Sequence, residues 1–113
     1  MEARLPAHLE VAGLIREVQA AGGFATVLRK GEREAGTILV VLAQNGANLR
    51  LFERMPSLDG ARTWYCSMVQ DIENKYLFDQ YLGRRTAQDA DVWVIELDIA
   101  QGERFIGIRT PSA

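Results

Sequence analysis

The stretch from Arg29 to Glu53, RKGEREAGTILVVLAQNGANLRLFE, constrains the fold more than any other part of the chain. Asn45-Gly46 sits between two apolar-rich runs, and both residues tolerate the positive φ angles of a two-residue hairpin turn. The run before it, Thr37–Gln44, is apolar at both parities: Ile38, Val40 and Leu42 against Leu39, Val41 and Ala43. Such a strand must be covered on both faces, by the chain's own helices or by a second copy. The segment therefore predicts a strand, a polar connection over Gly31–Gly36, a two-faced strand, a tight turn and a further strand.

The flanking residues extend this pattern. Pro6 suits a first helical turn, and Leu9, Val11, Leu14, Ile15 and Val18 recur near helical spacing until Gly22-Gly23. That predicts a helix over about Ala7–Ala21. Phe24–Lys30 reads as strand 1, with Phe24, Thr26 and Leu28 on one face and Ala25, Val27 and Arg29 on the other. Asn48–Met55 is strand 3, Pro56–Ala61 a turn with Asp59-Gly60 at its tip, and Arg62–Val69 strand 4. In strand 4, Trp64, Cys66 and Met68 share a face. Asp71 is the expected N-cap of a second helix over Ile72–Arg85, buried through Ile72, Tyr76, Leu82 and one or both of Leu77 and Phe78. Asp91–Ile99 is strand 5, with Trp93, Ile95 and Leu97 opposed to Val92, Val94 and Glu96. The tail, about 103–113, is irregular or adds a short edge strand through Phe105, Ile106 and Ile108. The order α-β-β-β-β-α-β predicts an α+β two-layer sandwich: a mainly antiparallel sheet of about five strands with two helices on one face.

At 113 residues the chain is expected to form a single domain, 1–113, burying roughly 65% of its unfolded surface. A net charge of −2 supplies no global attraction to nucleic acid or to an anionic membrane. The single Cys66 removes an internal disulfide and a multi-thiolate metal site, and with one His there is no two-histidine site. MEARLPAHLE carries acids and no apolar core, so no leader peptide is expected and the cytoplasm is the expected location. The longest apolar run, Ile38–Ala43, is far shorter than the ~20 residues of a membrane-spanning helix.

A spread of short pieces resembles a known family. They are Arg4-Leu5, Ile15-Arg16, Arg29-Lys30-Gly31 followed by Ala35-Gly36, Trp64, an acidic-aliphatic second helix, and Asp91-Val92-Trp93-Val94-Ile95-Glu96. Together they cover most of Arg4 to Gly102 and resemble the small uncharacterised alphaproteobacterial domain-of-unknown-function family 1491. The chain departs from that pattern at Ala90, where Pro is expected, and at Lys30-Gly31-Glu32, where Arg-Gly-Asp is usual. The resemblance implies a small cytoplasmic α+β protein and carries no activity or site with it.

Each residue group with chemical potential has a plainer reading beside the functional one. The basic loop Arg29, Lys30, Arg33 offers cations and a glycine N–H to an anion, more so if Arg84 and Arg85 lie close by. It lacks the spacing of a phosphate-binding loop, and Glu32 and Glu34 dilute its charge, so it also reads as a solvated hairpin tip. Asp89, Asp91, Glu96 and Asp98 suggest a hard-cation site or an acid/base pair, but a strand presents only two of them per face, and pairing with neighbouring arginines accounts for them. Cys66 reads as a buried structural thiol, with the lone His8 far away in sequence. Trp64, Tyr65, Tyr76, Phe78, Tyr81 and Trp93 suit core and interface packing better than a base-stacking platform, which needs a basic groove. Trp93 is expected under a helix. Trp93, Glu96 and Tyr81 are also the pattern residues offered as a partner-facing surface, Tyr81 as the exposed contact.

Function follows as three expectations. The first is a non-catalytic protein-interaction or regulatory domain with no cofactor, partnered by itself as a homodimer or by another protein. The second is a weak nucleic-acid or anion binder through Arg29, Lys30, Arg33, Arg84 and Arg85. The third is a small carboxylate-dependent enzyme using Glu96 or Asp98.

Overall fold

The computed structural model describes residues 5–56 and 62–108. Arg4, the Asp59-Gly60 turn and the last residues of the tail lie outside the described residues. The elements in chain order are α1 (Ala7–Ala20), β1 (Phe24–Arg29), β2 (Ile38–Gln44), β3 (Ala47–Pro56), β4 (Arg62–Val69), α2 (Tyr76–Gln88), β5 (Trp93–Asp98) and a short 3₁₀ helix (Gly102–Ile106). The α+β class and the five strands are as the sequence implies.

The strand order is β1-β5-β2-β3-β4. β2, β3 and β4 form the expected antiparallel meander, but β1 does not pair with β2. β5 enters between them, antiparallel to β1 and parallel to β2, with Ile38 opposite Trp93 and Leu42 opposite Leu97. The reason lies in the side chains. Val92, Trp93, Val94 and Ile95 are all buried, as are all residues from Ile38 to Ala43. Two strands apolar on both faces belong in the middle of a sheet, where both faces are covered.

The helices lie on opposite faces, which corrects the expectation that both share one. Ala7, Val11, Leu14 and Val18 of α1 pack with Ile38, Val40, Leu42, Phe52, Trp93, Ile95, Leu97 and Ile106. Phe78 of α2 packs with the alternate set, Leu39, Val41, Leu51, Val92 and Val94, flanked by Tyr81 and Leu82. β4 and β5 both run parallel to β2, so α2 is a crossover that passes over the sheet on the face α1 leaves open. The sheet is thus sandwiched between two helical layers.

α2 begins four residues later than expected because Asp71 is occupied. Its Oδ1 accepts the Glu73 N–H at 2.9 Å and its carbonyl accepts the Asn74 N–H at 3.1 Å, closing a turn before the helix. Ile72 is left 82% exposed, and Tyr76 and Leu77 are also exposed. A bulge at Ser67 breaks the alternation of β4, since Leu51 pairs with Met68 and Phe52 with Cys66. Trp64 therefore joins the α1 side and Met68 the α2 side. Cys66 is exposed, not buried.

Asn45 (φ 53°) and Gly46 (φ 74°) form the expected tight turn. The turn has an unforeseen partner: Asp98 accepts the Asn45 and Gly46 N–H groups, each at 2.8 Å, one on each carboxylate oxygen. The tail beyond β5 turns as a 3₁₀ helix instead of adding a strand, burying Ile106 against the α1 side. It is tied to β3 by a two-pronged pair between Arg50 and Glu103 at 2.9 and 3.0 Å.

The Arg50 guanidinium hydrogen-bonded to Glu103 holds its carboxyl below the usual carboxylate range. A folded-state value below the unfolded one contributes stability above the unfolded pKa, near 4.3, and loses it as pH falls through the folded value. Thermal unfolding from pH 6 to pH 3 should therefore show the wild-type Tm falling more steeply than that of Glu103→Gln, with the two converging at the acid end.

Candidate interaction surface

β1 owes its outer position to the insertion of β5, and its conformation to what brackets it. Beyond the Ala21 cap of α1 the chain turns at Gly22 (φ 89°), and the Gly23 N–H donates to the Val18 carbonyl at 2.9 Å. Gly23 runs so close to Ile99 and Val18 that a Cβ there would meet their side chains at 2.8–2.9 Å. The chain then pairs with β5 from Phe24 opposite Asp98 to Val27 opposite Ile95, and bulges before Arg29. Among the described residues no strand lies on the outer side of β1. Phe24 is 75% exposed, and Val27 and Leu28 are exposed with it. Exposed apolar side chains at Phe24, Val27 and Leu28 thus lie along a strand edge that is unpaired among the described residues. That is the arrangement which recruits another strand.

Arg29, the one charge in β1, is turned away from this edge. Its Nε donates to the Val92 carbonyl at 3.3 Å and its Nη2 to the Ala90 carbonyl at 3.1 Å. The following loop docks on the same strand entry. The Glu32 N–H donates to the Asp91 carbonyl at 2.9 Å and the Trp93 indole N–H donates to the Glu32 carbonyl at 2.8 Å. Gly31 and Gly36 both lie where a Cβ would overlap the Asp91 carbonyl. The Glu32 carboxylate accepts the N–H groups of Ala35 and Glu34, the first of these chiefly lowering its pKa. Carbonyls of Glu34 and Arg33 receive the first N–H groups of α1, from Ala7 and His8, both at 2.9 Å. The Arg29–Gly36 segment is therefore built to join α1, β1 and β5.

These contacts distribute the predicted anion-binding residues. Lys30 is exposed, and Arg33 is exposed beside Glu34 at 3.6 Å. Arg85 donates through Nε to Glu53 at 2.8 Å, over β3, while Arg29 reaches carbonyls at the start of β5. β1 and β3 are three strand spacings apart, about 14 Å, so Arg29 and Arg85 do not converge. Arg84 points to solvent on α2. Of the pattern residues, Trp93 is buried, Glu96 is half-buried, and Tyr81 is half-buried with its hydroxyl donating to Glu53 at 3.3 Å.

Glu53 escapes a reading of the sequence. It is a carboxylate only 5% exposed, with Arg85 and Tyr81 of α2 closing over it. Its parity with Leu51 on β3 is the one available signal. Burial first, and the Glu53 charge second, push the Tyr65 phenol up. The strand-5 carboxylates do not assemble a reactive pair, because Asp98 is committed to the Asn45-Gly46 turn. Among the described residues no group of three or more His, Cys, Asp or Glu could hold a metal ion. A depression of about 140 Å³ between the α1 start and β3 is lined in part by Arg54, which is bound in two-pronged fashion to Glu10 and stacked 4.5 Å over Trp64. No described helix is long and apolar enough to cross a membrane.

Comparison with known proteins adds the following. A family model described as "Protein of unknown function (DUF1491)" matches residues 5–107. A crystal structure of a DUF1491 family protein from Caulobacter crescentus is similar, with 33% identity, a TM-score of 0.79, and coverage of 92% of this chain and 96% of that one. An NMR structure of a DUF1491 family protein from the same organism has 33% identity and a TM-score of 0.78, covering 98% and 100%. The solution structure of protein Atu0922 from A. tumefaciens has 28% identity and a TM-score of 0.73, also over 98% and 100%. No curated protein matches the chain.

Removing the Arg85 partner of a buried carboxylate leaves a charge without compensation. Arg85→Ala should cost about 2 kcal/mol in urea unfolding, whereas exposed Arg84→Ala should change stability by under about 0.5 kcal/mol.

Proposed function

The chain belongs to the DUF1491 family of proteins of unknown function, and on that footing we propose that it is a non-catalytic protein-interaction domain working through the outer edge of β1. The observation that carries this reading is the strand Phe24–Leu28, uncovered among the described residues, with Phe24, Val27 and Leu28 exposed and no charged side chain in it. Soluble proteins usually blunt such edges with Lys, Pro, a mid-strand bulge or a covering helix. The other edge strand, β4, has such a bulge at Ser67; β1 has one only at its far end, at Leu28, and among the described residues no helix or strand covers Phe24–Val27.

Two-faced β2 no longer supports association, because both its faces are filled by the chain's own helices. The support moves to β1. Binding of nucleic acid or another anion is not favoured, since Arg29 and Arg85 are spent on internal partners and the loop carries Glu32 and Glu34. A carboxylate-dependent enzyme is not favoured either, since Asp98 holds a turn and Glu53 is sealed under α2.

The test is a photo-crosslinking amino acid placed at Phe24 in the native host, with exposed Glu17 of α1 as the control position. Crosslinked species are expected from position 24 and not from position 17. Their absence at position 24 would remove the proposed function.

A further inference from the structure

We infer that α2 is a releasable cover: it lets go of the sheet and unwinds as a unit while α1 and the five strands stay folded. The inference goes beyond the proposed function and stands whether or not β1 is the contact surface.

The two helices grip the sheet by different means. α1 sinks Ala7, Val11, Leu14 and Val18 into its side of the core. Its first N–H groups are held by the Glu34 and Arg33 carbonyls, and its Glu10 meets Arg54 in a two-pronged pair. Among the described residues α2 buries only Phe78, with Tyr81 and Leu82 packed beside it in part. No described side chain caps its first turn, and Ile72, Tyr76 and Leu77, which lead into and begin the helix, are exposed. Beyond the Phe78 plug its hold is one polar latch, in which Arg85 and Tyr81 donate to Glu53 at 2.8 and 3.3 Å. Few buried apolar contacts on a solvent-facing helix mark a segment that opens below the free energy of global unfolding.

Gly83 is an independent sign. It lies inside α2, exposed, and a Cβ there would have nothing within 4 Å. Neither packing nor a positive φ calls for glycine at this position, yet it lowers the helix-forming equilibrium about fivefold relative to alanine. Gly13 in α1 is equally free of neighbours, but there four buried side chains hold the helix down. At 13 residues α2 is too short to be a stable helix alone in water, so leaving the sheet means unwinding.

Release leaves the strand pairing in place. α2 carries the chain from β4 to β5, three strand spacings or about 14 Å sideways and one strand length back. Unwound, the segment from Gln70 to Asp91 covers that distance with slack. What release uncovers is the aliphatic face of Leu39, Val41, Leu51, Val92 and Val94, while the strands keep their hydrogen-bonded neighbours. The closed form is the ground state, and the released form is a minor one between it and the unfolded chain.

Adjacent residues of β2 report on the two faces separately. Val40 and Val41 are both buried, Val40 on the α1 side and Val41 on the α2 side. In the full chain, with exposed Cys66 changed to Ser, Val40→Cys and Val41→Cys are compared for reaction with a water-soluble aromatic disulfide in native buffer. Global unfolding exposes both thiols equally. Release of α2 exposes only position 41, which should react about tenfold faster or more. Gly83→Ala should then slow position 41 about fivefold, because it strengthens the helix that has to unwind. Hydrogen exchange of the unaltered chain follows the same opening without a core substitution: the amides of Leu82 to Arg85 should exchange about tenfold faster or more than those of Leu39 to Leu42. A thiol at position 41 that reacts no faster than one at position 40, no response to Gly83→Ala, or α2 amides as slow as those of β2 would each overturn the inference.

Discussion

β2 and β5 run side by side in parallel, and their side chains from Ile38 to Ala43 and from Val92 to Ile95 are shut away from water on both faces. Such a pair cannot sit at the margin of a sheet or under a single helical layer. Its burial requires α1 on one side and α2 on the other, and it requires a strand on each flank. β3 flanks β2 through the Asn45-Gly46 turn, and β1 flanks β5. Each remaining strand is then displaced outward, which is why β1 and β4 are the margins.

The polar contacts serve this arrangement. Asp98, at the end of β5, holds the turn that links β2 to β3. Glu10 on α1 meets Arg54 on β3, and Glu53, the next residue toward the N-terminus of β3, meets Arg85 on α2. Adjacent positions of one strand thus fasten the two helices to opposite faces. The Glu32–Gly36 turn performs a third junction, receiving the first N–H groups of α1 while it accepts the Trp93 indole. Four of the residues in the family pattern, Arg29, Gly31, Gly36 and Trp93, are accounted for by that junction. Glycine is needed where the Asp91 carbonyl leaves no room for a Cβ.

Most of this was legible where local chemistry decides it. The first helix, the Asn45-Gly46 turn, the two-faced character of β2 and the facing of Trp93, Ile95 and Leu97 follow from periodicity and turn preference alone. The pairing of β1 with β5 did not follow, because strands close in sequence usually pair and the Lys30–Thr37 connection gives no local sign of a skipped position. The length of that connection, too long for a tight hairpin, was the available clue. The placement of α2 failed for a similar reason. Asp71 serves a turn as readily as a helix cap, and only the three-dimensional contact of Phe78 selects the face. Glu53 was illegible because its environment is supplied by a helix more than twenty residues away.

The union of Phe24 with Asp98 joins the first strand of the sheet in chain order to the last. Until the closing strand emerges, β1 has no neighbour at all, and α1 has only part of the surface it rests on. Completion of the sheet consequently waits for its last strand, gated by loop closure across every element between β1 and β5. During that interval both edges of β1 are open to mispairing.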